Sequence, residues 1–178
     1  MRNAVKAEDE IIRILRTAGL REGDRILDFG CGSGTYAIPA AQIAGDPGTV
    51  LVLDKDKQKI SDLIEKAKNR KLKNVVRLNP QSDSTVRLKD DTLTAVILFD
   101  VLHQYYFPSA ASRRHILEEL HRVLKPGGLL LVHPTHIDRS TISDEIGNAG
   151  FNFKGTCSGK MLHDGRSCTS SILVFNRT

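Results

Sequence analysis

The chain has 178 residues, 40% hydrophobic and 26% charged, the proportions of a globular domain, so one domain over residues 1–178 is expected. No apolar run nears the ~20 residues of a membrane-crossing helix, the first residues lack a signal peptide's apolar centre, and Cys31, Cys157 and Cys168 look unpaired and unlike a zinc site, which points to a cytoplasmic protein without a metal. The net charge of +5 would suit an anionic partner, but the basic residues are dispersed, their densest run at 66–73 lies on a solvated helix face, and aromatic residues form no stacking series for single strands.

In chain order, Ile11, Ile12, Ile14, Leu15 and Ala18 mark an amphipathic helix over 8–18 that stops at Gly19. A first strand is predicted at 25–29, followed by a glycine-rich turn and a helix over 35–44 in which Pro39 removes a donor near the first turn. Gly45-Asp46-Pro47-Gly48 forces a turn, and 49–53 is wholly apolar, as a central parallel strand covered on both faces should be. Ile60, Leu63, Ile64 and Ala67 give the next helix, 74–78 a third strand, 93–99 a fourth, and 112–124 a helix broken by Lys125-Pro126-Gly127-Gly128 before a fifth strand at 129–132. Such alternation implies right-handed βαβ units. After a short helix at 141–149, two β-like stretches at 151–161 and 170–175 joined through Asp164-Gly165-Arg166 suggest a closing antiparallel hairpin, across which Cys157 and Cys168 would face each other. The expected fold is therefore α/β: a doubly wound, seven-stranded, mostly parallel sheet with helices on both faces, closed by an antiparallel carboxyl-terminal hairpin.

The chemistry concentrates in Ile26-Leu27-Asp28-Phe29-Gly30-Cys31-Gly32-Ser33-Gly34, a buried strand that ends in an acid and runs into three alternating glycines. Without a Cβ such a turn adopts positive φ and lets another molecule approach the backbone. Asp54 tips the second strand as Asp28 tips the first. Neighbouring strands of a doubly wound sheet would bring both acids to the crevice at their carboxyl ends, where the second can take ribose hydroxyls. Each acid alone could equally be a helix cap or a turn residue.

With the glycine segment, the acid-tipped strand 50–54 and Leu120-His121-Arg122-Val123-Leu124-Lys125-Pro126-Gly127-Gly128 together, the chain resembles the class I S-adenosylmethionine-dependent methyltransferases, especially the methyltransferase type 11 group. The resemblance implies that S-adenosylmethionine is the cofactor. Its methionine part would lie along Gly30, Cys31, Gly32 and Gly34, with its amino group held by Asp28, its ribose by Asp54 and its adenine beside Lys55. An acid after the third strand takes the adenine amino group in that family; Asp83 is the candidate, with Ser82 its neighbour, although the spacing to Leu88 is off by about one residue from the family's usual form. Phe99, at the end of the fourth strand, would floor the sulfonium.

A sulfonium methyl is already activated, so holding the nucleophile in line and excluding water leaves little for acids and bases to do. His103, on the crevice edge after the fourth strand, is the candidate general base, with a cap or a substrate contact as alternatives. His133 and His136 have metal-like spacing but no evident third ligand. Tyr105, Tyr106 and Phe107 would form a wall over the site or anchor its loop. The resulting expectation is methyl transfer to a small-molecule acceptor, with a nucleic acid or protein acceptor and a site-closing homodimer as further options. A non-catalytic S-adenosylmethionine-binding regulator is one rival. An NAD-dependent oxidoreductase is another, disfavoured by the Gly-x-Gly-x-Gly spacing and the terminal hairpin.

Overall fold

Apolar runs that end in an acid or a glycine set the strand limits. In the computed structural model, which describes residues 2–79, 85–163 and 166–178, β1 (Arg25–Phe29), β2 (Thr49–Leu53) and β4 (Leu93–Phe99) fall at the predicted positions, and the short β3 (Val75–Arg77) lies inside its predicted span. With β5 (Leu124–His133), β6 (Phe151–His163) and β7 (Arg166–Arg177) they form one seven-stranded sheet in the order β3-β2-β1-β4-β5-β7-β6. The first five strands are parallel, and β7 inserts antiparallel between β5 and β6. The chain winds outward from β1 through β2 to β3 and then returns to β4 on the other side. That reversal opens a crevice at the carboxyl ends of β1 and β4.

Strand parity sorts the core. Ile26, Val50, Val52, Ala95, Ile97, Phe99 and Leu131 pack under α1 (Arg2–Thr17), α2 (Ala37–Ala44) and α3 (Lys57–Asn69). Leu27, Leu51, Val96, Leu98, Leu130 and Val132 pack under α4 (Ala110–Val123) and α5 (Arg139–Asn148). With both faces covered, side chains pointing either way must be apolar, which is why these strands read as continuous hydrophobic runs. Among the described residues no helix is long and apolar enough to cross a membrane.

The helices start where a side chain can take their first free N–H groups. Asp56 accepts from Gln58 and Lys59 at 3.0 and 3.2 Å, Ser109 accepts from Ser112 at 3.1 Å, and Asp138 accepts from Ser140 and Thr141, both at 3.0 Å. Helix α1 begins at Arg2, ahead of the predicted 8, because no breaker precedes its apolar stripe. Helix α2 begins at Ala37, since Thr35 and Tyr36 finish the glycine turn, and Pro39 sits in its first turn, where a missing N–H loses nothing.

Two expectations are corrected. The Lys125-Pro126-Gly127-Gly128 segment is not a turn between helix and strand but an excursion within β5, whose pairing with β4 jumps from Leu93↔Leu124 to Ala95↔Leu129. Cys157 and Cys168 do not face each other: Cys157 pairs with Ile172 and Cys168 with Met161. The hairpin is longer than predicted and carries a bulge between Phe153 and Gly155 that shifts the register.

One ion pair ties the outer helices together. The Arg113 guanidinium donates twice to the Glu145 carboxylate at 2.7 Å and once to the Phe107 carbonyl at 3.2 Å, with side chains only 10% and 19% exposed. Glu145 raises the Arg113 pKa. Breaking such a pair strands a poorly solvated charge, so Glu145→Ala should cost about 2–3 kcal/mol by denaturant unfolding and loosen the loop that Phe107 anchors. An unchanged midpoint would show that solvent already carries this pair.

Candidate functional site

The glycine turn is built for two purposes. Gly30, Gly32 and Gly34 take φ of +80°, +50° and +85°, and the N–H groups of Gly30 and Cys31 donate to the Leu53 carbonyl at 2.8 and 3.1 Å, stitching the turn to the tip of β2. A Cβ on Gly30 would stand 2.4 Å from Val101, and one on Gly34 2.7 Å from Leu63, so these two are glycine because the fold closes over them. A Cβ on Gly32 would meet nothing within 4 Å. Its backbone faces open space, as a cradle for another molecule should. Cys31 is buried, and burial, then Asp28 and Asp54, push its thiol pKa up, which leaves it a neutral packing group.

Below this turn the two tip acids share the α1–α3 face of the sheet. Asp28 is 3% exposed, and its Oδ2 is buried with no hydrogen-bond partner. Burial first, and the Asp54 charge second, push its pKa up to about 7. Asp54 is engaged: Oδ2 accepts the Gly32 N–H at 2.7 Å and Oδ1 the Asp56 N–H at 2.9 Å. A buried carboxyl with an unpartnered oxygen, beside a second acid and in the strand that runs into an open-faced glycine turn, fits a ligand that brings an ammonium group. S-adenosylmethionine carries such a group on its methionine part, and the donor set therefore suits it.

The rim continues across β4 and β5. Phe99 is buried, its ring edge-on to Tyr36 at 4.7 Å and to His133 at 5.9 Å. The Tyr36 hydroxyl donates to the Leu162 carbonyl at 2.7 Å and accepts its N–H at 3.2 Å, fastening the start of α2 to β6. The Lys55 ammonium sits 4.1 Å from the Tyr106 ring centroid, a cation–π contact linking the tip of β2 to the loop after β4. In that loop the expected aromatic wall divides. Phe107 is buried against Phe29 with 6.5 Å between centroids, whereas Tyr105 and Tyr106 are exposed and stack around His103.

Both His103 nitrogens are occupied. The Tyr105 N–H donates to Nδ1 at 3.2 Å, which leaves the proton on Nε2, 3.1 Å from the Asp100 carbonyl. Burial, then the facing His136, hold its pKa below the ordinary histidine value. His133 and His136 diverge: the first is buried toward β7, and the second packs edge-on against His103 at 5.2 Å. Ser82 and Asp83 lie outside the described residues.

Sequence reasoning singled out Asp28, Asp54 and the glycines together, and the structure gathers them. It did not find Asp100, whose φ of +57° is unusual for a non-glycine residue, nor the Asp100–His133–Ser170 cluster that it starts. Neither leaves a mark in spacing, because Ser170 reaches His133 only through the antiparallel insertion of β7.

Comparison with known proteins gives the family and the fold. The family profile described as "Methyltransferase domain" matches residues 27–132. The "Ubiquinone/menaquinone biosynthesis C-methyltransferase UbiE" of Haemophilus ducreyi is 24% identical over 115 residues, covering 65% of this chain and 42% of that protein. The "Demethylmenaquinone methyltransferase" of Staphylococcus epidermidis is 26% identical over 150 residues, covering 84% and 58%. The chain thus spans about half the length of the curated relatives it matches. Among solved structures, a SAM-dependent methyltransferase from Aquifex aeolicus superposes with a TM-score of 0.73 at 23% identity over 93% of this chain and 89% of that one, a likeness of fold.

Proposed function

Given that the chain belongs to the methyltransferase domain family, we propose that it transfers the methyl group of S-adenosylmethionine to a small-molecule acceptor. The observation that carries this reading is Asp28, whose buried Oδ2 has no partner, in the strand that leads into the open-faced Gly32. When bound, S-adenosylmethionine supplies a methyl group on a sulfonium, activated for direct displacement.

The chain's own residues bind, orient and exclude water. Asp28 takes the ammonium as a carboxylate. The backbone of Gly30, Cys31, Gly32 and Gly34 wraps the methionine part, Asp54 accepts the ribose hydroxyls, Lys55 lies beside the adenine with Ser82 and Asp83 as its further partners, and Phe99 floors the sulfonium. His103, with both nitrogens engaged in its own loop, stands at the acceptor wall together with Tyr105 and Tyr106, as a substrate contact or, once those bonds open, as the candidate base. The relatives' names point to a quinol ring as the first acceptor to try.

Calorimetry tests the reading. S-adenosylmethionine and S-adenosylhomocysteine should bind with dissociation constants on the order of micromolar, about −8 kcal/mol, and NAD should not. Tight NAD binding with no heat from the other two would overturn it. Binding without transfer to a panel of quinols, phenols, thiols and amines would instead leave a cofactor-binding regulator.

A further inference from the structure

We propose that Asp100, His133 and Ser170 form a proton relay that accepts the proton of an aromatic hydroxyl on the methyl acceptor at Ser170 Oγ, an inference that rests on the methyltransferase reading above. His133 ends β5 with its ring 2% exposed. Its Nε2 lies 2.6 Å from Ser170 Oγ on β7, and its Nδ1 lies 3.0 Å from Asp100 Oδ1 at the end of β4. Nδ1 is buried, and its Asp100 contact is off hydrogen-bond alignment, as such bonds often are before a substrate tightens them. The order carboxylate, Nδ1, Nε2, hydroxyl is that of a serine activated through histidine.

Three further features argue against a packing accident. Asp100 holds an uncommon backbone conformation, with φ at +57°, pinned by its N–H donating to the His133 carbonyl at 3.1 Å and by the Thr135 hydroxyl donating to Oδ1. Strain of this kind persists where the surroundings over-determine it and clusters at working sites. Ser170 and Asp100 are both half-buried and only His133 between them is buried, so the imidazole is shielded while the hydroxyl end stays reachable. The Phe99 ring touches both His133 and Tyr36, which follows the glycine turn, so one aromatic side chain separates the relay from the cofactor loop.

In the proposed step the acceptor O–H passes its proton to Ser170 Oγ as the Ser170 proton passes to His133 Nε2. The acceptor oxygen forms its bond to the methyl carbon while the methyl–sulfur bond breaks and leaves its electron pair on sulfur. Asp100 steadies the imidazolium, which returns its proton to solvent through Ser170. Ser170 touches the acceptor; His133 and Asp100 act through it as positioning residues.

The experiment compares two probe acceptors of opposite acidity, 1,4-dihydroxynaphthalene, which is largely protonated at about pH 8, and 4-nitrocatechol, which is largely ionised there. Ser170→Ala, His133→Gln and Asp100→Asn, the last suited to the same backbone conformation, should lower kcat for the first by about 100-fold or more and for the second by less than about threefold. KM and S-adenosylmethionine affinity should hold, and Ser170→Thr should restore part of the rate. Equal losses on both acceptors, or none, would overturn the relay. Independently of any acceptor, ¹⁵N NMR of the S-adenosylhomocysteine complex should show neutral His133 protonated on Nδ1, and a proton on Nε2 would overturn the relay even if neither probe is methylated. Failure of the wild type to bind S-adenosylmethionine would sink the methyltransferase reading and the acceptor step with it, and the His133 tautomer, read then on the ligand-free protein, would decide only whether the carboxylate–imidazole–hydroxyl order exists.

Discussion

Asp28→Asn is expected to lose S-adenosylmethionine binding by about 100-fold or more while the ligand-free protein becomes more stable at about pH 8, because the buried carboxylate is costly until an ammonium meets it. Its pKa near 7 lies above the ordinary carboxylate value of 3.8. The folded state therefore holds this proton more tightly than the unfolded chain does. The group's contribution to stability is complete below pH 3.8 and is lost as pH rises through about 7. The full difference bounds the cost of ionisation at about 4 kcal/mol, and water entry and the buried amide of the replacement reduce the expected gain to about 1–2 kcal/mol, or about 2–8 °C in Tm.

Cofactor affinity carries the opposite dependence. Below about pH 7 the protonated acid must lose its proton to face the ammonium, so affinity should fall about tenfold per pH unit, with proton release on binding near pH 6 that fades as pH rises past about 7. Calorimetry in buffers of different ionisation heat reads that release directly. Unaltered affinity in Asp28→Asn, or no linked proton at pH 6, would remove Asp28 from the ammonium site.

The second large effect separates two glycines of the same turn. Gly34→Ala should destabilise the protein by about 3 kcal/mol and lower Tm by about 6–12 °C, since its Cβ must enter the Leu63 side chain in a left-handed backbone conformation. Gly32→Ala carries only the conformational cost of about 1 kcal/mol, because nothing of the protein lies within 4 Å of its Cβ. It should nevertheless weaken S-adenosylmethionine about tenfold, the new methyl standing in the space the ligand needs. Equal losses of stability in both variants would mean that the space beside Gly32 closes when the protein is free.

The parallel half of the sheet was legible because each central strand must be apolar on both faces and must stop where the chain turns. Phe29, Leu53 and Phe99 accordingly end their strands where an apolar run gives way to Gly30, Asp54 and Asp100. The carboxyl-terminal region was less so. Half-exposed hairpin strands mix polar and apolar residues, so periodicity leaves their register open, and the pairing that starts at His163↔Arg166 puts Cys157 opposite Ile172 rather than Cys168. In β5 the excursion at Lys125-Pro126-Gly127-Gly128 lengthens the strand without changing its direction, a distinction that proline and glycine alone do not make.

By itself the sequence determined the α/β winding, the glycine turn and the pairing of Asp28 with Asp54, because all three follow from local periodicity and from the fixed neighbourhood of β1 and β2. Only the tertiary structure decided which glycine faces a ligand, that His103 is committed to its own loop, and that Asp100, His133 and Ser170 meet. Those outcomes depend on which side chain fills a space and on contacts between residues as far apart as 37 positions, from His133 to Ser170. Such contacts form when β7 inserts beside β5, and no short-range pattern encodes them.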